Sequence, residues 1–492
     1  MSIDVLTEKW KAYNTTFLCC LVVLWQLGFY IFSDSIPKDY PRRDATGLAH
    51  YYAKKFFFFY YHLGYFPIVS EKEPQEFSKK EAIRILEEGG PNLLMEYYHW
   101  SRLGDSGRIF MYLPDAWLFN KIKEPEVNTF NGLFFTVSLL VVLIGLIRVK
   151  QKTLAITYVV LVGSSPFWLY EVYANQNLFS LIIINFNFLL GLFSSLIFRK
   201  EDSSILYKLA LAGILVAFFA GMRSEVKSML LGCTLVIVVY PHAGIIKKGL
   251  YLCTLLFSFY LVGKGIDNYF ERKFNEAYLL VQKKGGIPYT GKRITTHKFW
   301  HPVFVFLGDF DTKYGYGPRV NDTVAYRYAI PILKNKYGID VKYSGKLFLD
   351  EYYDSTRKYY KKFDEIEAYE TICKDKVLND IKNDPVWYVG ILSKRFWNNI
   401  IILSPVALSV AGLYLVLPFS GLLILLLLIF LAYKKQYSYL LLLAFSLPVS
   451  LASFLIYSKD NITFNHVYHL LGIGIMVALA NIYFSKKIKS ED

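Results

Sequence analysis

Cysteine is scarce: the chain has five in 492 residues, and four of them, Cys19, Cys20, Cys233 and Cys253, lie inside apolar runs while Cys373 stands alone in a polar region. No framework of paired bridges is available, which excludes a disulfide-stapled toxin-like scaffold. Charged residues make up only 19%, and no Gly/Ser linker, internal repeat or low-complexity tract interrupts the chain. A disordered polymer and a collagen are thereby excluded. Soluble-enzyme signatures are missing too: there is no P-loop, no dinucleotide-binding glycine pattern, no HExxH and no CxxC.

What is present is apolar: 54% of residues are hydrophobic and 18% aromatic. They gather into runs of about 18 or more, the length that crosses a bilayer. The pattern predicts an all-α polytopic membrane protein with about ten transmembrane helices, near 15–33, 131–148, 153–170, 177–198, 205–222, 226–240, 249–266, 415–433, 436–457 and 466–485. The first run follows a charged start without a small-residue cleavage site, so it reads as an uncleaved anchor. The stretch 399–433 is long enough for two helices; a single span is preferred, with Trp387 to Ser404 as an amphipathic interfacial helix.

The net charge of +15 would suggest nucleic acid if the apolar runs were ignored. Its basic residues instead sit in short loops: Arg148, Lys150 and Lys152; Arg199 and Lys200; Lys247 and Lys248; Lys434 and Lys435; Lys486, Lys487 and Lys489. With the N-terminus in the cytoplasm all five clusters fall on the cytoplasmic side, so the charge sets orientation in a lipid bilayer and implies no nucleic-acid partner.

The parts are then 1–33, the first helix; 34–128, a first extracytoplasmic loop; 131–266, six further helices; 267–414, a larger extracytoplasmic loop; and 415–492, the last three helices and a short tail. Both loops are too long for connections and too aromatic for disorder, so they are expected to fold as caps. Asp44 to Tyr61 reads as a helix on the membrane surface, a second helix starts at Ser78 or Lys79 and stops at Gly89–Gly90, and Thr356 to Asp380 reads as a charged helix.

Chemistry must come from polar groups at the membrane face. Asp44, shortly beyond the first span, is placed either to act as a general base or to cap the helix that follows. Asp105 lies in a glycine-punctuated loop between Arg102 and Arg108, as a phosphate-side carboxylate or a turn residue. Asp115 reads as a cap for the helix leading into the second span. Arg223 and Glu225 close the fifth span, where a guanidinium suits a lipid phosphate and the alternative is a mutual ion pair. Glu171 ends the third span among aromatics and amides that suit a sugar, or is a solvated charge. Asn185 and Asn187 read as interhelical glue. His297 and His301, four residues apart, are weak candidates for a divalent metal, since Pro302 argues against one continuous helix there. His466 and His469 stand at the outer start of the last helix, to line a cavity or ride the interface.

In order of parts, the chain resembles the GT-C superfamily of integral membrane glycosyltransferases, which includes protein O-mannosyltransferases and lipid A aminoarabinose transferases. The resemblance is carried by one helix, a long first loop with an early acidic residue in RRDATGLAHYYA, a helix bundle, and the segments YEVYANQNLFSLIIINFNFLLGL and AGMRSEVKSMLLG. It implies inverting transfer from a polyprenyl-phosphate-linked sugar to an envelope glycan, lipid or protein, with Asp44 activating the acceptor. Many members carry a DE or DD pair in that loop, whereas Asp44 is followed by Ala45. Two other readings remain: an O-antigen or capsule polymerase or ligase relying on Arg102, Arg108 and Arg319, and a lipid-linked-sugar flippase or transporter. The absence of an inverted repeat weighs against the last.

Overall fold

The fold is taken from a computed structural model, which describes residues 3–33, 47–70, 72–90, 93–95, 106–123, 127–174, 180–200, 202–289, 299–308, 311–317, 322–339, 352–353, 360–361, 367–397, 406–410, 413–417, 420–455 and 463–491. The chain is mostly helical. Helix α1 spans Ile3–Ile31, α2 Gly47–Leu63 and α3 Lys79–Gly89; a 3-10 turn at Ser106–Tyr112 leads into α4, Leu113–Phe119. Then come α5 (Asn128–Arg148), α6 (Lys152–Gly163), α7 (Pro166–Leu169), a π turn (Tyr170–Ala174), α8 (Ser180–Ile197) and α9 (Ile205–Ala220). A 3-10 turn at Ser224–Ser228 precedes α10 (Met229–Val239) and the long α11 (Ile245–Lys283). The remainder comprises α12 (Trp300–Leu307), α13 (Asp322–Tyr337), α14 (Glu367–Asn383), α15 (Pro385–Trp397), α16 (Ser420–Tyr433), α17 (Tyr437–Leu455) and α18 (Thr463–Glu491). Strands among the described residues form three two-stranded antiparallel ladders: Val69–Ser70 with Leu93–Leu94, Tyr352–Tyr353 with Tyr360–Lys361, and Val406–Val410 with Leu413–Leu417.

Among the described residues four helices, α1 (over Asn14–Ile31), α5, α8 and α11, are long and apolar enough to cross a membrane, and a fifth span results if α6 and α7 with its π turn, bent by 55°, count together. Shorter apolar helices lie at Ile205–Ala220, Leu422–Tyr433, Tyr437–Val449 and His469–Ser485. Helix α8 is the centre of the bundle, with nearly every residue buried against α5, α9, α10 and α17. Helices α1 and α11 stand at the periphery, exposing Phe17, Leu24, Phe257 and Leu261. Close crossings depend on glycine: a Cβ on Gly145 of α5 would lie 2.4 Å from the Gly191 carbonyl oxygen of α8, and one on Gly191 would lie 2.4 Å from that of Val141. Small residues allow such backbone approach where lipid provides no hydrophobic force between helices. Asn187 acts as the glue expected of it, accepting from the Tyr158 hydroxyl at 2.8 Å and donating to Ser138 Oγ at 3.3 Å.

The basic connections gather at one end. Tyr439 donates to Gln151 Oε1 at 2.8 Å, His242 Nε2 meets the Arg199 carbonyl at 3.0 Å, and the Arg199 guanidinium lies 5.6 Å from the Tyr437 ring centre, which links the four connections, while Asn481 of α18 donates to Thr153 Oγ1 at 2.9 Å. Three helices stop there in the same way. Lys150, Arg199 and Lys435 adopt φ of 64°, 54° and 53°. In each case the next residue's N–H reaches back five residues: Gln151 to Leu146, Lys200 to Ser195 and Gln436 to Leu431. This is the left-handed helix stop that glycine usually supplies, here made by cations that complement the carbonyl end of each helix dipole.

Several expectations are corrected. The seventh span does not end at 266 but continues as one helix to Lys283, because Phe270 packs on Phe66 and Phe110 and Phe274, Ala277 and Val281 keep a buried face in the core shared with α2, α3 and their strands. The third span breaks at Ser164–Ser165, before Pro166. The stretch assigned to a span from 415 begins in a strand, Leu413–Leu417, whose alternate partners include Val406 and Val410. Tyr360–Lys361 pair with Tyr352–Tyr353, so the helix expected from Thr356 begins at Glu367. Helix α2, read as lying on the membrane surface, buries Phe56 and Phe57 in the main core and Phe58 and Phe59 in the smaller core shared with α3 and α11. The short helix stands where expected: Ser78 caps α3, accepting from Glu81 N–H at 3.1 Å.

Candidate functional site

The end of the bundle opposite the basic connections carries the polar interior. The first two turns of α5 are its hub. Gly132 lets the Tyr173 ring of the π turn approach so closely that a Cβ there would lie 2.6 Å from Cε1. Phe134, on another side, packs against Phe218 and Phe219 at the end of α9. The Ser106–Tyr112 turn joins the same place, since Gly107 N–H donates to the Gly221 carbonyl at 2.8 Å. The π turn and the end of α9 therefore flank the start of α5, and the outer loop is pinned beside them.

Glu171 sits inside the π turn and is fully buried. A π turn widens the helix by one residue and recurs at functional positions. It follows the break at Ser164–Ser165, a discontinuous segment of the kind that places ionisable groups at membrane depth. Arg223, directly after α9, forms an ion pair with Glu225 at 2.7 Å, and Ser224 donates to the other oxygen of Glu225 at 3.3 Å. The mutual pair anticipated for these residues is present, with both side chains mostly buried. Arg108 and Asp115, from the pinned loop and α4, are buried as well. Asp115 lies where expected, in the first turn of α4, the helix before the second span, and it accepts the backbone N–H of Lys123 at 3.2 Å.

Two short hydrogen-bond chains run through this region. Lys123 Nζ donates to the Tyr30 hydroxyl at 3.1 Å, which shares a hydrogen bond with Thr129 Oγ1 at 3.0 Å. The Tyr173 hydroxyl donates to Gln26 Oε1 at 3.0 Å, while Gln26 Nε2 donates to the Gly163 carbonyl at 3.0 Å, directly before the helix break. On the helices around it Asn131, Ser165, Ser180 and Asn185 are fully buried, yet their side-chain polar atoms have no hydrogen-bond partner within the protein. Buried polar groups are nearly always satisfied, so a set of four marks where water or a polar ligand completes the structure.

No protein-family model, curated protein or solved structure matches the chain.

Of the residues anticipated for the site, Glu171, Arg223 and Glu225 are brought to this end of the bundle. Asp44, Arg102, Asp105, His297 and Arg319 lie outside the described residues, and His466 falls in α18 three residues before the buried His469. His301 belongs to a separate aromatic core formed by α12, α13, α14 and α15, where its Nδ1 meets the Tyr369 hydroxyl and its ring stacks on Tyr326. Among the described residues no three His, Cys, Asp or Glu side chains cluster as a metal site. In α15, Trp387, Ile391 and Arg395 face this core, Arg395 donating to the Phe306 carbonyl at 3.0 Å, whereas Val386, Val389 and Trp397 are exposed. Gln26 and Asn131 were not anticipated, although each is an amide set among apolar residues of a long helix and that was a readable signal.

Proposed function

We propose that the chain is a membrane glycosyltransferase that moves a sugar from a polyprenyl-phosphate carrier to an envelope glycan, lipid or protein on the extracytoplasmic face of a bacterial inner membrane. The observation that carries this reading is the convergence of Glu171, Arg108, Asp115, the Arg223–Glu225 pair and four unpartnered polar groups at the end of the bundle opposite the basic connections. Ionisable groups at membrane depth are costly and mark reaction or transport sites. Ten spans follow when α1, α5, α6 with α7 and the π turn, α8, α9, α10, α11, α16, α17 and α18 each cross once, which puts both aromatic caps on the polar-site side.

In this reading Asp44, the acidic residue that the GT-C resemblance assigns to acceptor activation, takes the proton of the acceptor hydroxyl. The oxygen attacks the anomeric carbon as its bond to the carrier phosphate breaks, inverting the configuration, and the phosphate departs toward Arg223. Glu171 and the amides of Asn131 and Asn185 orient the sugar. Asp105 and Arg102 keep the phosphate-side roles, and His466 the substrate-binding role, that the sequence suggests for them. A second reading, a polymerase or ligase of lipid-linked repeat units, is favoured by the buried Arg108, an outer-loop arginine of the kind such chemistry uses.

The test is mass spectrometry of surface glycans, lipid A and envelope proteins from a deletion strain complemented with wild type, Asp44→Asn or Glu171→Gln. One missing sugar, restored by wild type and reduced at least about a hundredfold in transfer rate with Asp44→Asn, supports the assignment. Full rescue by both variants removes it, and accumulation of single repeat units supports the second reading.

A further inference from the structure

The opposite, basic end holds a cavity of about 400 Å³ that the transfer chemistry does not use. It opens between the ends of α5 and α8 and the start of α9. Its mouth carries Arg148, Lys200, Lys208 and Asp202. Its deeper side is apolar, lined by Val141 and Ile144 of α5 and Leu192 of α8, so it runs roughly 10 Å along α5 from Arg148 to Val141. The crossing at Gly145 and Gly191 forms its wall, with Ser194 Oγ bridging to the Gly145 carbonyl at 3.1 Å.

The charges are unequal. Asp202 binds Lys208 and accepts from Ser195 Oγ at 2.8 Å and Ser204 Oγ at 2.6 Å. Burial pushes its carboxyl upward, but these hydrogen bonds outweigh burial and hold it ionised, below the usual carboxylate range. Lys208 and Asp202 thus neutralise one another. Arg148 and Lys200 have no ion-pair partner among the described residues, which leaves two cations at the mouth of a cleft with an apolar floor. Glu201 lies outside the described residues.

We propose that this cavity binds an anionic phospholipid, its phosphate between Arg148 and Lys200 and the start of its acyl chains along Val141, Ile144 and Leu192. The inference rests on the membrane reading and not on the sugar-transfer reading. A basic pocket between spans at the cytoplasmic surface has the chemistry of an anionic headgroup site. The apolar floor selects a lipid over a free phosphate, which would leave that floor against water.

The full-length protein, purified in detergent, is loaded with phosphatidylglycerol or phosphatidylcholine, and lipid retention is read by native mass spectrometry beside thermal melting. Preferential retention of phosphatidylglycerol by wild type is expected, weakened on the order of tenfold or more in Arg148→Gln/Lys200→Gln. Both side chains are exposed, so that variant is expected to fold. Leu192→Trp, which fills the floor without touching the charges, should also lose retention, whereas Lys247→Gln, at the same end but outside the cavity, should not. Equal retention of the two lipids, an unchanged double variant, or displacement of the lipid by millimolar glycerol phosphate overturns the proposal. Lipid retention is independent of sugar transfer, so either reading can fail alone.

Discussion

Single side chains decide how firmly the interior holds. Asn187 joins α8 to α5 and α6 through Ser138 and Tyr158. Its replacement by Ala leaves the Tyr158 hydroxyl buried and unmet, at a cost of about 1 kcal/mol for a hydrogen bond between spans. Asn187→Ala and Tyr158→Phe should each lower thermal stability by that order, and the double variant should fall short of their sum; full additivity in a double-mutant cycle would show that the two do not interact. In the first cap, burial among Phe58, Tyr61 and Phe77 holds His62 below its ordinary value of 6.5. The unfolded chain then takes up a proton before the folded one, so the stability that neutral His62 contributes is full above about 6.5 and declines as the pH falls below it. Protection factors in α2, with the pH dependence of intrinsic exchange divided out, should fall between pH 7 and pH 5 in wild type and lose that pH response in His62→Phe.

Helix ends show what patterning does and does not reveal. The start of α3 was readable because Ser78, a good cap, precedes an amphipathic run, and its stop because two glycines follow. The stops at Lys150, Arg199 and Lys435 were readable only as charge, since a cation in the left-handed region carries no local signature. Placing a non-glycine residue there costs about 1 kcal/mol. Arg199→Gly should therefore raise thermal stability by about 0.5–1 kcal/mol, with a drop in melting temperature speaking against strain at that stop. In the topology proposed above, arginine and lysine at these positions supply the loop charge that governs insertion, a demand that acts before the fold exists. The extension of α11 was hidden for a different reason. Hydropathy falls after Ile266, but Phe270, Phe274, Ala277 and Val281 sustain a helical face that a search for spans does not read. Within the candidate site, Glu171, Arg223 and Glu225 were visible as charges at span ends, whereas the π turn and the contact between Gly132 and Tyr173 depend on tertiary packing.

For the whole molecule, the gathering of the basic connections at one end and the buried ionisable groups at the other gives a vertical order. Reporter fusions test it directly. Alkaline phosphatase joined after Lys435 should be inactive and the same reporter joined after Lys284 active, with the protein remaining in the pellet after carbonate extraction. Equal activity at the two positions would contradict the order.

The 39 residues of α11 form a rod of about 58 Å. With its first half spanning about 30 Å of hydrocarbon, roughly 20 Å or more rises above the lipid surface. The first cap leans on that mast through Phe274, Ala277 and Val281, so its height over the bilayer is set by helix length and not by loop flexibility. The mast therefore works as a gauge. Removing seven residues, two turns, between 267 and 283 would lower the platform by about 10 Å with little rotation of the face that the first cap packs against.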